Sequence, residues 1–314
     1  MNVSILYVNY KTACLIVNSI RTIKEHTKDI SYEIIVVDNH SEDDSLSMIK
    51  TAYPEVICIQ SAENLGFGKA NNVGLKVARG ECILFLNPDT LLINNAVEIL
   101  YRHLQSSPTI GACGGNLYDE NHCPTHSFAR HFPTCRQEFF SIFYLPDMNW
   151  KVPKSRCFNY TGNPLDVAMI VGADLMIKKT VLEETGAFDP DFFMNGEDVE
   201  ICYRIRKANY RILSLPDAKI MHLEGRSLYI LQSRLHFLYE GNFIYFYKMT
   251  GKNGAKNLYR IIQLKNNIRI LQFTLLRNKR KQVYWKMKKQ TAKEAFRSAE
   301  IKLEHSLSTQ IYPE

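Results

Sequence analysis

The chain has 314 residues, of which 46% are hydrophobic and 23% charged, and it carries a net charge of +7 at neutral pH. That balance excludes collagen-like, disordered and disulfide-scaffold proteins, and suits one α/β domain of ordinary size plus an extension. No apolar run reaches the roughly 18 residues of a membrane-spanning helix, since IYFYKM and IRILQFTLL are both interrupted by polar or basic residues.

In chain order, MNVSILYVNYKTACLIV reads as a first strand rather than a signal peptide, because its apolar run is short and no small-residue cleavage site follows. A cytoplasmic location is expected, with the eight cysteines reduced. Cys14, Cys58, Cys82, Cys113 and Cys202 sit in apolar patterns as small core residues. Cys123, His126, His131 and Cys135 have a spacing that matches no standard zinc finger.

Periodicity predicts strands at 3–8, 32–37, 56–60 and 82–86, alternating with helices at 13–25, 43–51 and 68–78. This is the pattern of a parallel sheet covered on both faces, with ligand-binding turns along one edge. The turns open with Asn9, Asp38, Asn64 and Asn87, and Asp89 follows closely. Asn9 on its own reads as a turn former, whereas VVDNHSEDD and LNPDT are more acidic than capping requires. Clustered carboxylates repel, and a metal or a donor-rich ligand is the natural means of stabilising them.

Neither a dinucleotide fingerprint nor a P-loop stands where it should, which sets dehydrogenase and NTPase readings aside. Gly66, Gly68 and Gly74 in NLGFGKANNVG fit either a closely approached backbone or a tight turn into a helix. A further strand is predicted at 110–118, then an irregular stretch from 119 to 163. Strands at 167–171 and 175–177, a turn at GAFDPDFF, a helix at about 197–209 and strand pieces at 212–215 and 219–222 complete the pattern. Beyond Ser227 the chain reads as helical.

The ordered segments VSILYVNY, VVDNHSEDD, NLGFGKANNVG, LFLNPDT, VGADLMI, GAFDPDFFMNGEDVEICYR and HLEGRS resemble the inverting family 2 glycosyltransferases of GT-A fold, within them the rhamnosyltransferase-like group. The resemblance covers residues 1 to about 230. It implies an α/β fold with a mostly parallel sheet flanked by helices. Asp38 would contact the nucleotide base, with Asn9 and Tyr10 nearby, and Asn64 with Lys69 would line the nucleotide pocket. Asp89 matches the last acid of the family's Asp-x-Asp metal motif, but Asn87 replaces the first, so His222 is expected to complete a Mn2+ or Mg2+ site with diphosphate oxygens and water. Without the resemblance His222 reads as an ordinary strand-end histidine. Asp198 is implied as the general base and Glu197 as orienting the acceptor, although acids in a first helical turn are favoured by the helix dipole anyway. Glu200 and Arg204 are expected to support the helix or the phosphates.

From Gly241 to Lys293 there are fourteen Lys or Arg and no Asp or Glu. This amphipathic, basic stretch is expected to pack on the catalytic domain and meet an anionic membrane surface, and no nucleic-acid recognition motif accompanies it. The expected organisation is a catalytic domain over 1–227, its nucleotide-sugar side at 1–118 and its acceptor side at 119–227, then a helical basic extension over 228–314. The expected activity is inverting transfer of a sugar from a nucleotide diphosphate, best matched to L-rhamnose from dTDP-rhamnose, onto a lipid-linked glycan precursor at the inner face of the cell membrane. UDP-galactose, UDP-glucose or UDP-N-acetylglucosamine are alternative donors. A non-catalytic nucleotide-sugar-binding protein is the alternative of another class.

Overall fold

The computed structural model of the chain describes residues 1–143, 157–223 and 231–311. Strand β1 (Val3–Asn9) is buried along its whole length, so both faces must be covered. Its alternation sends Val3, Ile5 and Tyr7 to one core with Ile16, Ile20 and Ile23 of α1 (Ala13–His26), and Leu6 and Val8 to a second core on the other face. Cys14, expected in the core, is instead exposed, because the inward stripe of α1 runs through Ala13, Ile16, Ile20 and Ile23.

The chain continues through β2 (Tyr32–Asp38), α2 (Ser45–Ala52), β3 (Ile57–Gln60), α3 (Phe67–Leu75) and β4 (Cys82–Leu86). Then come β5 (Thr90–Leu92), α4 (Ala96–Gln105), β6 (Ile110–Tyr118), β7 (Phe128–Ala129) and α5 (Cys135–Phe140). After these follow β8 (Leu165–Asp166), β9 (Met169–Ile170), β10 (Asp174–Lys178), α6 (Lys179–Thr185), α7 (Glu197–Lys207) and β11 (Arg211–His222). The main sheet runs β3-β2-β1-β4-β10-β6-β11-β5, with β8 beside β11, and β7 pairs with β9 separately. β1, β2, β3 and β4 are mutually parallel, as are β6 and β11, whereas β10 runs against both β4 and β6. The order reverses between β1 and β4, which opens a crevice at their C-terminal ends.

Two expected strand pieces, 212–215 and 219–222, form the single strand β11, whose pairing with β6 shifts register between Leu215 and Lys219. Pro216 lies in that shift, where it has no ladder hydrogen bond to donate. β5 and α4 were not foreseen between the fourth strand and Ile110. Within the irregular stretch the structure forms β7 and α5, and residues 144–156 lie outside the described residues.

The described residues group into two compact units, one of 1–132, 157–189 and 197–223, the other of 133–143, 190–196 and 231–311. The first holds both sheets. The second is built on α8 (Leu231–Leu275), broken at Gly251 where φ is 76°, and α9 (Lys279–Ile311), which pack lengthwise with α5 against α8. In that unit Gly241 of α8 abuts the turn at Asn195: a Cβ there would lie 1.9 Å from the Asn195 carbonyl oxygen. Phe193 of the same turn meets Phe237 at 5.0 Å between ring centroids. Among the described residues no helix is long and apolar enough to cross a membrane.

Candidate active site

Parallel pairing sets Asn9 opposite Asp38 at the ends of β1 and β2. Asn9 Nδ2 donates to Asp38 Oδ1 at 2.6 Å, the Ser41 hydroxyl donates to the same oxygen, and the Ser41 N–H donates to Oδ2 at 3.1 Å. The other end of the Asn9 amide accepts from Thr12, from its N–H and its hydroxyl, each at 3.0 Å. Asn9 is thus both a turn former and the group that orients a buried carboxylate. Asn39, unremarked in the sequence, joins this loop to the next: its Nδ2 donates to Asn64 Oδ1 at 2.9 Å and its Oδ1 accepts from the Leu65 N–H at 2.8 Å. Asn9, Asp38 and Asn64 therefore belong to one network. Tyr10 lies half-buried beside Lys11, whose Nζ is 5.8 Å from the ring centroid, and Lys69 is exposed on the first turn of α3.

The glycines of that loop serve packing. Gly66 has φ 78°, and a Cβ on Gly68 or Gly74 would stand 3.1 Å from Phe188 or Val37 respectively. Asn72 of α3 clasps the Phe188 backbone, donating to its carbonyl at 2.7 Å and accepting from its N–H at 3.0 Å.

The second cluster forms where β5 pairs with the end of β11. Thr90 stands opposite His222, and the Leu223 N–H donates to the Asp89 carbonyl at 2.9 Å. As a result Asp89 Oδ1 and His222 Nε2 are 3.3 Å apart, both largely buried, and the Asn87 amide is 3.5 Å from the same ring nitrogen. The separation is near that of two adjacent ligands on one divalent ion, about 3 Å for bonds of about 2.1 Å. Among the described residues no group of three or more His, Cys, Asp or Glu side chains gathers around a common point. The donor set fits a cation whose remaining ligands are diphosphate oxygens and water. Residues 224–227 of the HLEGRS motif lie outside the described residues.

The third cluster is the start of α7. Its first turn holds Glu197, Asp198 and Glu200 and its last turn Arg204, Arg206 and Lys207, both complementing the helix dipole. Glu200 is taken up by Arg204, which donates to its two oxygens at 2.7 Å each and also binds the carbonyls of Gly186 and Ala187 at 2.8 and 2.7 Å. That pair ties α7 to the turn after α6 and so supports the helix. Asp198 Oδ2 accepts from the Gly172 N–H at 3.0 Å and Oδ1 from the Val199 N–H at 2.8 Å. Burial raises the pKa of both acids; the charge of Asp198 raises Glu197 further, while backbone N–H groups and the more distant His126 hold Asp198 down. Glu197 Oε2 is buried with no hydrogen-bond partner among the described residues. Glu197 is thus the better holder of a shared proton and Asp198 the better anion.

Sequence reading missed Asp174. It is fully buried on β10, accepts from the Gly115 N–H at 2.6 Å, and is pushed up to about 7 by burial. The available signal was a lone acid inside the apolar run VGADLMI.

A mixed sheet of this order, with Asn9 and Asp38 at the C-terminal ends of β1 and β2, Asp89 just after β4 and acids in the first turn of α7, has the GT-A fold. The family model described as glycosyl transferase family 2 matches residues 4–184, and the chain belongs to that family. It is 28% identical over 221 residues to the low-salt glycan biosynthesis hexosyltransferase Agl10 of Haloferax volcanii, covering 67% of this chain and 64% of that protein. It is 24% identical over 208 residues to the N-acetylglucosaminyl-diphospho-decaprenol L-rhamnosyltransferase of Mycobacterium tuberculosis, covering 62% of this chain and 67% of that one. The match therefore spans about two-thirds of each relative's length. Among solved structures, the fold is similar to the mannosyltransferase PcManGT from Pyrobaculum calidifontis in complex with GDP-Man and Mn2+, with a TM-score of 0.56 at 16% identity over 96% of this chain and 86% of that one.

Proposed function

We propose that this glycosyltransferase is metal-assisted and inverting, and moves a hexose, L-rhamnose from dTDP-rhamnose in the leading reading, onto a hydroxyl of a lipid-linked glycan precursor at the inner face of the cell membrane. The observation that carries the proposal is the meeting of Asp89 and His222 at 3.3 Å, beside the crevice between β1 and β4. Residues 1–118 would take the nucleotide and 119–227 the acceptor, with 228–314 as the extension. Relatives named for a rhamnosyl transfer to a diphospho-decaprenol acceptor and for glycan biosynthesis support the acceptor class.

Asp38, held by Asn9 and Ser41, keeps lone pairs on Oδ2 for the imide N–H of a thymine or uracil base, flanked by Tyr10. Asn64 and Lys69 lie along the sugar-phosphate side, and Lys69 supplies positive charge. Asp89 and His222, with Asn87 beside them, would hold Mn2+ or Mg2+, which when bound neutralises charge on the departing diphosphate. Asp198 accepts the proton of the acceptor hydroxyl as it attacks the anomeric carbon. Glu197, carrying its own proton, donates a hydrogen bond that orients the acceptor. The nucleoside diphosphate leaves from the opposite face, so one displacement inverts the centre with no covalent intermediate on the protein.

The test is a panel of dTDP-, UDP- and GDP-sugars with Mn2+ and a polyprenyl-diphosphate-linked acceptor, with product configuration read by NMR. An inverted product from dTDP-rhamnose is expected. A UDP-sugar as the sole donor would move the donor assignment, a retained configuration would overturn the mechanism, and donor binding without transfer would make the protein a non-catalytic binder.

A further inference from the structure

Beyond the Gly251 break, α8 packs on α9 through one buried stripe that includes Ala255, Leu258, Ile262 and Phe273. At about 100° per residue, Leu264, Ile268, Leu271 and Leu275 fall on the opposite side of the helix within an arc of about 60°. They are 46%, 38%, 60% and 75% exposed, and Leu276 in the following turn is 64% exposed. Singly exposed apolar residues are ordinary on a protein surface; a line of four with Leu276 next to its end, at the tip of a helical hairpin, marks a contact surface.

Charge selects what the surface meets. Between Arg277 and Lys293 there are eight Lys or Arg and no Asp or Glu. Arg277, Lys279, Arg280, Lys286, Lys289 and Lys293 enter no ion pair among the described residues, whereas Lys252, Lys265 and Lys302 of the same unit each have a glutamate partner. Further along α9, Glu294, Glu300 and Glu304 offset Arg297 and Lys302, so the uncompensated charge is densest from Arg277 to Lys293. A second copy laid in parallel on the leucine stripe would bring two such tips together. Nucleic acid would engage the cations and leave the leucines in water. A bilayer carrying anionic headgroups takes both, with apolar side chains at the acyl boundary and cations among the phosphates.

We propose that the α8–α9 hairpin tip is a docking surface for anionic lipid, with the stripe from Leu264 to Leu276 inserted shallowly and the cations after it held at the headgroups. The proposal does not rest on the sugar-transfer reading, because vesicle binding is measured without donor or acceptor.

The experiment is co-sedimentation of the full chain with vesicles of phosphatidylcholine alone or mixed with phosphatidylglycerol. Binding to the mixed vesicles, lost at high salt, is expected. Arg277→Gln/Lys279→Gln/Arg280→Gln lowers that affinity about a hundredfold, and Leu271→Ser/Leu275→Ser about tenfold or more. All five positions are exposed, so both variants keep the wild-type melting temperature. Equal binding to both vesicle types, absence of binding, or affinity unchanged in both variants overturns the proposal. So does a dimer, seen by light scattering, that the leucine variant dissolves while vesicle binding persists.

Discussion

Asp198 is seated against Gly172: the glycine N–H donates to Oδ2 at 3.0 Å, and a Cβ placed on Gly172 would stand 3.3 Å from the aspartate Cβ. The loop between β9 and β10 thereby fixes the carboxylate at the start of α7. Glu197, its neighbour, has a buried oxygen with no such donor among the described residues. Two adjacent acids are given unlike surroundings, and unlike surroundings divide the roles of proton holder and proton acceptor.

That division predicts unequal mutants. Asp198→Asn removes the proposed base and lowers kcat by about 100- to 10,000-fold while leaving donor affinity near wild type. Glu197→Gln mimics the protonated acid and keeps kcat within about tenfold. Transfer activity rises with pH through the ionisation of Asp198, so its acid limb lies above the ordinary aspartate range and stays in place in Glu197→Gln. Steady-state kinetics over pH, with donor titrations by calorimetry, check all three. A Glu197→Gln enzyme as inactive as Asp198→Asn would remove the distinction.

The proposed metal site makes a second prediction. Asp89→Ala and His222→Ala each weaken Mn2+-dependent nucleotide binding by about tenfold or more, and chelation lowers wild-type nucleotide affinity to the level of the variants. Nucleotide titrations with and without Mn2+ measure this. Titrations that match wild type in both variants would place the cation elsewhere.

How these residues were legible differs with the physics of each. β1, β2, β4 and β6 are buried on both faces, and a doubly buried strand writes itself as a continuous apolar run. The family resemblance alone brought Asp89 and His222 together: the residues themselves gave no sign of it, because their meeting depends on β5 pairing antiparallel with β11, and a three-residue strand leaves little periodic signal. Asn39 was masked by its acidic neighbour in VVDNH, and its bridge to Asn64 exists only once two loops are side by side. α5 did carry a local mark: Thr134 and Gln137 form a capping box, written T-x-x-Q, inside a stretch rich in Pro and aromatics that obscured it.

Gly241 supplies a third prediction, on stability. Its α carbon faces the Asn195 carbonyl so closely that a methyl group would overlap the oxygen. Gly241→Ala forces α8 or the Phe193-bearing turn to shift and costs about 2 kcal/mol or more. Gly162→Ala is the control for backbone strain: Gly162 has φ 70° with nothing within 4 Å of its Cβ position. A larger loss of melting temperature for Gly241→Ala than for Gly162→Ala is expected, and equal losses would mean the contact with Asn195 is soft.

The last prediction concerns Asp174. Burial raises its pKa from 3.8 to about 7, so the folded state holds a proton there that the unfolded chain has already released. The sign follows from linkage: between the unfolded and folded values the native state binds more protons, hence stability is fullest below about pH 4 and falls as pH rises toward 7. Asp174→Asn keeps an acceptor for the Gly115 N–H and removes the ionisation. It should therefore match wild type at pH 4 and exceed it at pH 8, by about 4 kcal/mol. Urea denaturation at the two pH values measures the difference. A gain of the same size at both would show that the carboxyl does not titrate in this window, and a loss at pH 8 would show that the anion has a stabilising partner in the folded protein.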